Sequence, residues 1–230
     1  MSARRVLVLG ASAFAKIAEV LEAFPNLTID GVLDDDARLE GTSVAGVAVR
    51  GPLSAVHDAG LRDHALVFGI GSWRTRLIRR EILQRLAVPR ERWISLIHPR
   101  AMVSKTARIG AGAIVYVGAA VLPETVIGDF AVLSTGALIG DHNHLAEGVL
   151  AGGNATTTTG VRIGAYAHLG AGSCVAEGVQ VGAGAQLGVG CVALRDVPAG
   201  AFVLGNPGRV VDRVAMPEAL ATGASATSQW

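Results

Sequence analysis

VRIGAYAHLGAGSCVAEGVQVGAGAQLGVG, residues 161–190, carries an aliphatic residue at every sixth place: Ile163, Leu169, Val175, Val181 and Leu187. The beat runs back without an insertion through Thr157, Ala151, Leu145, Ile139, Leu133, Ile127, Val121, Val115 and Ile109 to Val103, and forward to Ala193. Of these sixteen positions only Thr157 is polar. Glycine often follows directly, as at Gly110, Gly128, Gly140, Gly164, Gly170, Gly182 and Gly188. A period of six is not the helical one, and glycine at this frequency is costly inside helices. Val, Ile and Thr suit pleated backbone. The repeat therefore predicts a parallel β-helix in which each hexad is a short strand and a turn. Three hexads make a triangular coil of about 18 residues, and the run amounts to about five coils. The apolar residue points into the prism, and glycine and polar residues form its corners. One coil cannot bury its own apolar side, so the coils must stack. An aromatic content of 4% fits a thin prism.

The chain has 230 residues, half of them hydrophobic, which is enough for two modest domains. A formal net charge of +1 gives no footprint for nucleic acid or another polyanion. No apolar run is long enough to span a bilayer and no signal peptide is evident, so no membrane partner is expected. Cys174 and Cys191 fall in different phases of the hexad and do not form a disulfide framework. Reduced, buried thiols and a cytoplasmic location are the expectation.

Residues 1–95 read differently. Val6-Leu7-Val8-Leu9 is a short strand that ends in Gly10-Ala11-Ser12-Ala13-Phe14, and a helical pattern follows through Ile17, Val20 and Leu21. Further strands are expected at 29–33, 47–49 and 65–70, and helices near 53–59 and 73–86. Alternating strands and helices imply a small parallel sheet of four or five strands with helices on its faces. Ligands of such sheets bind beyond the carboxyl ends of the strands. The Gly10–Phe14 turn, Asp34-Asp35 and Gly71-Ser72 all converge on that edge. The turn lacks G-x-G-x-x-G, which argues against a dinucleotide. The joint placement points to a nucleotide or nucleotide sugar, and the plainer alternative is that the glycines only make turns.

Taken together, "VLVLGASAFAK", "GVLDDD", "VFGIGSWRTR", "LIHPRAMVS", "STGALIGDH", the hexads and "GNPGRVV" resemble the bacterial hexapeptide-repeat sugar O- and N-acyltransferases of the sialic-acid O-acetyltransferase type. Relatives in that family N-acetylate nucleotide-linked amino sugars. The resemblance spans residues 4–212. It implies a Rossmann-like α/β N-terminal domain (1–95) that binds the nucleotide sugar, a left-handed β-helix (96–212) and a C-terminal tail (213–230). It implies a homotrimer with active sites between subunits, and acetyl-CoA as a co-substrate rather than a permanently bound cofactor. The nucleotide sugar would lie near Ser12, Ala13, Phe14, Asp34, Asp35 and Gly71. Acyl transfer needs a base for the attacking group and stabilisation of the oxyanion.

The chain departs from the family at the base. The family's His occupies the third place of a hexad and an acidic residue follows it. In Ile139-Gly140-Asp141-His142-Asn143-His144 the third place holds Asp141, and His142 comes one place later. The apolar beat resumes at Leu145, so no insertion accounts for the shift. His142 is the candidate base. Its neighbours one coil away are Glu124 and Gly160, and Glu124 is a candidate to orient the ring. Asp141, stacked on Pro123 and Thr159, and His144 are alternatives, and a corner without a base is the third reading. The resemblance places acetyl-CoA near Leu150 (where the family has a His), His168, Ala171, Val189 and Arg209, the last as a phosphate partner or a plain surface charge. Thr156–Thr159 would line a polar pocket or form a threonine ladder. His98 is read as structural.

Three functions compete. The first is a CoA-dependent acetyltransferase acting on the amino or hydroxyl group of a nucleotide-linked sugar. The second is a degenerate homologue that binds CoA or a nucleotide sugar without turnover. The third is a γ-carbonic-anhydrase-like metalloenzyme built on His142, His144 and His168, whose spacing lacks that family's arrangement; the transferase reading assigns no metal.

Overall fold

The computed structural model describes residues 3–71 and 75–213. The expected tail, and Ser72 beside Gly71, lie outside these residues. The chain divides into two compact units between Pro99 and Arg100.

The first unit is built on three parallel strands: β1 (Arg4–Leu9), β2 (Leu27–Leu33) and, after a small hairpin, β5 (Ala65–Phe68). Their order is β2-β1-β5, with β1 central. Val6 to Leu9 are fully buried, as a central parallel strand with both faces covered should be. Helix α1 (Phe14–Leu21) turns Phe14, Ile17, Val20 and Leu21 inward, one apolar stripe at helical spacing. Helix α2 (Arg76–Leu86) ends at Ala87, whose φ of 45° makes the left-handed cap that stops it.

Three expectations are corrected here. The parallel sheet has three strands rather than four or five. The segment expected at 47–49 instead gives β4 (Val47–Ala48), which turns back on β3 (Ser43–Val44) through Ala45 and Gly46. Both turn residues have positive φ, the geometry of a tight hairpin, and beyond it the segment joins the main sheet only through the single parallel bridge Val32↔Val49 rather than as a full strand. The segment near 53–59 forms a 3-10 helix over Leu53–His57.

The second unit is a parallel β-solenoid. Its strands are two residues long and fall on three faces. The first face runs from Met102–Val103 to Val192–Ala193 in six strands, and the second from Arg108–Ile109 to Gln180–Val181 in five. On the third, Ile114–Val115 and its successors lead to Gln186–Leu187. That face continues into Ala201–Leu204, which pairs with the antiparallel Arg209–Arg213. From Met102 to Ala193 the rungs link residues eighteen apart, as in Val121↔Ile139↔Thr157 and Ile127↔Leu145↔Ile163, whereas the closing rung Leu187↔Val203 spans sixteen. The aliphatic residues of the beat fill the interior, and Val121, Leu133, Ile139, Leu145, Leu169, Val175 and Leu187 have no exposed surface.

A second column also points inward, four places after the first: Ala113, Ala119, Thr125, Ala131, Ala137, Asn143, Val149, Ala155, Val161, Ala167, Ser173, Val179, Ala185 and Cys191 are all buried. Coils approach so closely at the corners that a Cβ on Gly140 would lie 2.2 Å from the Thr158 carbonyl oxygen, which is why glycine follows the apolar residue there. Cys174 and Cys191 are free thiols, and burial pushes the Cys191 thiol up. Among the described residues no helix is long and apolar enough to cross a membrane.

Candidate active site

The Asp141-His142 corner lies between the strands Leu138–Ile139 and His144–Leu145. Both strands keep the eighteen-residue register with the coils on either side, so the corner does not bulge. His142 has φ 54°, matching Glu124 (55°) one coil before and Gly160 (68°) one coil after. Histidine tolerates this left-handed conformation better than most side chains. The turn is bracketed by two backbone rungs: His142 N–H donates to the Pro123 carbonyl and Gly160 N–H to the Asp141 carbonyl, each at 3.0 Å. The displaced histidine is thus a true turn residue in the fourth place of its hexad.

Asp141 is held from the next coil. Thr159 Oγ1 donates to Asp141 Oδ1 at 2.6 Å, and Asp141 Oδ2 lies 3.9 Å from His142 Nε2. The latter is an ion-pair distance rather than a hydrogen bond. The Thr159 hydroxyl, then the residue's own backbone amide, and more weakly the His142 charge hold the Asp141 carboxyl below its ordinary range. The His142 side chain is 63% exposed, so its ring is open to a ligand while its neighbour is fixed.

Glu124 does not take the role expected of it. Its amide donates to Thr106 Oγ1 at 3.0 Å, and its exposed carboxylate makes no ion pair with His142. An exposed pair of this kind gains little over hydration, and Asp141 is already pinned beside the ring. The four threonines do not share one role either. Thr156 stands half-buried on the first face and Thr157 is inside the prism, whereas Thr158 Oγ1 donates to the Val175 carbonyl and Thr159 serves Asp141.

Inside the prism, under the corner, lie Thr125, Asn143 and Thr157, all buried. Asn143 Nδ2 donates to Thr157 Oγ1 and Asn143 Oδ1 accepts from Val161 N–H, both at 2.6 Å. The sequence signal for this group was available: Asn143 is the one amide in the second inward column.

The other candidates are dispersed. His144 is exposed on the second face, beside an open groove of about 460 Å³ lined also by Arg162, Gln180 and Asp196. On the third face Leu150 is buried and His168 half-buried, adjacent in one ladder. Ala171 is exposed at a corner, its carbonyl accepting from Gly190 N–H, and Val189 is 80% exposed. Arg209 is exposed with Nη1 on the Gly208 carbonyl. Among the described residues no three His, Cys, Asp or Glu side chains gather as metal donors. His142, His144 and His168 do not form such a set within one chain.

In the first unit the carboxylates are already engaged. Asp34 Oδ2 accepts from Ala11 N–H at 2.8 Å and Oδ1 from Asp36 N–H at 2.9 Å. A carboxylate thus occupies the turn where a dinucleotide fold would offer its amides to a pyrophosphate. Ala13 N–H is also used, by the Gly69 carbonyl at 2.7 Å. Asp35 accepts from Leu53 N–H and pairs with Arg85. Burial raises the Asp35 carboxyl, and these two contacts outweigh burial and hold it low. Phe14 points into the core, so its side chain cannot meet a ligand, which corrects that expectation. Ser12 and Gly71 remain exposed.

Among solved structures, a point mutant of perosamine N-acetyltransferase from Caulobacter crescentus, in complex with CoA and GDP-perosamine, shares 30% identity with this chain. The match covers 90% of this chain and 96% of that one, with a TM-score of 0.79. The acetyltransferase domain of PglB from Neisseria gonorrhoeae FA1090, in complex with acetyl coenzyme A, is 31% identical over 91% of this chain and 100% of its own, also at 0.79. WeeI from Acinetobacter baumannii AYE, 23% identical over 90% of this chain and 100% of its own, shows the same fold with a TM-score of 0.77. No family profile and no curated protein matches the chain. Solenoid and hexads define the class, a hexapeptide-repeat acyltransferase. Within it, the chain belongs to the hexapeptide-repeat sugar acetyltransferases.

Proposed function

We propose that this protein transfers an acetyl group from acetyl-CoA to an amino group of a nucleotide-linked sugar. The observation that carries the reading is the exposed His142 imidazole beside a fixed carboxylate on a solenoid corner, in a chain alike over nine-tenths of its length to acetyltransferases solved with CoA and with GDP-perosamine. Asp141 lies on the Nε2 side of the ring, and Nδ1 is the nitrogen that takes a proton from the acceptor. The amine nitrogen attacks the thioester carbonyl, a C–N bond forms and the C–S bond breaks. The thiolate leaves and recovers the proton from the imidazolium.

The remaining parts of this reading are a left-handed solenoid, a homotrimer with acetyl-CoA between subunits along Leu150, His168, Ala171 and Val189, and Arg209 on a CoA phosphate. The first unit (1–95), Rossmann-like in form, holds the nucleotide sugar at Ser12, Gly71 and the backbone near Ala13, with Asp34 and Asp35 shaping the edge rather than contacting the ligand directly. The location is cytoplasmic. One observation favours a second reading: His142 sits in the fourth place of its hexad with no bulge to bring it back, as a homologue that binds without turnover would allow.

Release of CoA thiol from acetyl-CoA, measured with UDP-, GDP- and dTDP-linked amino sugars for wild type beside His142→Ala, tests both readings. Release with one acceptor, lost in the variant, supports the transferase and its base. Binding of acetyl-CoA without release with any acceptor supports the second reading.

A further inference from the structure

The buried polar residues of the solenoid, among those described, are Thr125, Asn143, Thr157, Ser173 and Gln186. Three of the five lie under one corner. Elsewhere the second inward column is Ala and Val apart from Ser173 and Cys191, so stacking does not require a polar network. A buried hydrogen bond replaces one made to water, so such a group is a poor source of stability. Its value is geometric, because a satisfied buried network admits one arrangement.

The bonds show what is being held. Thr125 Oγ1, from the coil before, donates to the Gly140 carbonyl at 2.6 Å and accepts from Asn143 N–H at 3.2 Å. Thr157 Oγ1, from the coil after, accepts from Gly140 N–H at 3.2 Å and from Asn143 Nδ2 at 2.6 Å. Asn143 Oδ1 in turn takes Val161 N–H at 2.6 Å. Gly140 and Asn143 are the first and last residues of the turn that carries Asp141 and His142. Both of its ends are therefore fixed from inside the prism.

We propose that Asn143 is a positioning residue: with Thr125 and Thr157 it clamps the ends of the Gly140–Asn143 turn and so sets the Asp141–His142 pair. It touches no reactant and acts through the backbone. The inference rests on reading this corner as the acetyl-transfer site, and its test has a readout that does not depend on that reading.

The variants are Asn143→Ala, Thr157→Val and Thr157→Ser. The Asp141 carboxyl is titrated by NMR in carbon-13 aspartate-labelled protein, and kcat and KM for acetyl-CoA are measured beside thermal unfolding. A loosened turn breaks the Thr159 contact, so the Asp141 carboxyl rises toward its ordinary value in Asn143→Ala and Thr157→Val but not in Thr157→Ser. Small misplacements of reacting groups cost up to about 100-fold, so kcat falls roughly 10- to 100-fold in the first two variants with KM for acetyl-CoA changed less than about 3-fold. If Asn143→Ala does not fold, the two Thr157 variants carry the same comparison. An unmoved Asp141 titration in folded variants overturns the proposal, as does a kcat that falls only with the folded fraction. Should wild type transfer no acetyl group, a moved titration still upholds the clamp while the functional reading fails.

Discussion

Thr159 Oγ1 donates a 2.6 Å hydrogen bond to Asp141 Oδ1 from the next coil of the solenoid. One oxygen of the carboxylate is thereby spent, and the other is left 3.9 Å from His142 Nε2. The hydroxyl is the largest reason that the Asp141 carboxyl lies low. A carboxyl lowered in the folded state adds stability above its unfolded value, near pH 4, that is lost as pH falls through the folded value. Thr159→Val removes the bond, so the Asp141 titration moves up and acid unfolding begins at a higher pH. An acid limb and a titration unchanged from wild type would contradict this.

The two corner residues should separate in kinetics. General bases contribute typically 10²- to 10⁴-fold, so His142→Ala is expected to lower kcat within that range with little change in KM for acetyl-CoA. Asp141→Asn keeps an acceptor for Thr159 and removes the charge beside the ring, so its loss is smaller. Steady-state kinetics decide. A larger loss for Asp141→Asn would transfer the base role to the carboxylate in the family's own hexad place.

Two glycines at one strand edge should behave oppositely. A Cβ on Gly69 would stand 2.0 Å from the Gly10 carbonyl oxygen, a backbone atom that cannot step aside, whereas on Gly71 it would meet, among the described residues, only Ala13 Cβ at 3.8 Å. Gly69→Ala is expected to cost roughly 2–3 kcal/mol, and Gly71→Ala less than about 0.5 kcal/mol. Denaturant unfolding measures both. Equal costs would mean that the edge relaxes, and a glycine at 71 would then need another reason.

Asp34 is a structural carboxylate on the same logic. Asp34→Ala leaves the amides of Ala11 and Asp36 without their acceptor, at about 1–3 kcal/mol for a partly buried group. Asp34→Asn keeps an acceptor oxygen and should recover part of that stability. Loss of nucleotide-sugar binding in Asp34→Asn at undiminished stability would instead place the carboxylate on the ligand.

The sequence made the solenoid legible because its apolar column is strictly spaced, and the coil-to-coil arithmetic that put His142 between Glu124 and Gly160 holds in the register. The second inward column was not legible in the same way. Its members are Ala, Thr, Ser and Asn as often as Val, and inward orientation there follows from the turn rather than from hydrophobicity. Asn143 therefore stands in the sequence as one more polar residue of its hexad, and the clamp is visible only in the folded chain. Asp34 and Asp35 look like ligand-binding acids in a run of three. Their partners Ala11, Leu53 and Arg85 lie 18 to 50 residues away in sequence, and only the folded chain brings them together. Phe14 shows the same limit, since a turn residue next to a helix start is also the first residue of that helix's buried stripe.

The central claim is tested most directly by incubating the protein with acetyl-CoA and a GDP-linked amino sugar and following the mass of the sugar nucleotide, wild type against His142→Ala. The account predicts that wild type adds one acetyl group per sugar while the variant leaves the acceptor essentially unchanged over the same time. Acetylation undiminished in His142→Ala would contradict the assignment of the corner, and an unmodified acceptor across GDP-, UDP- and dTDP-linked amino sugars with wild type would contradict the transferase itself.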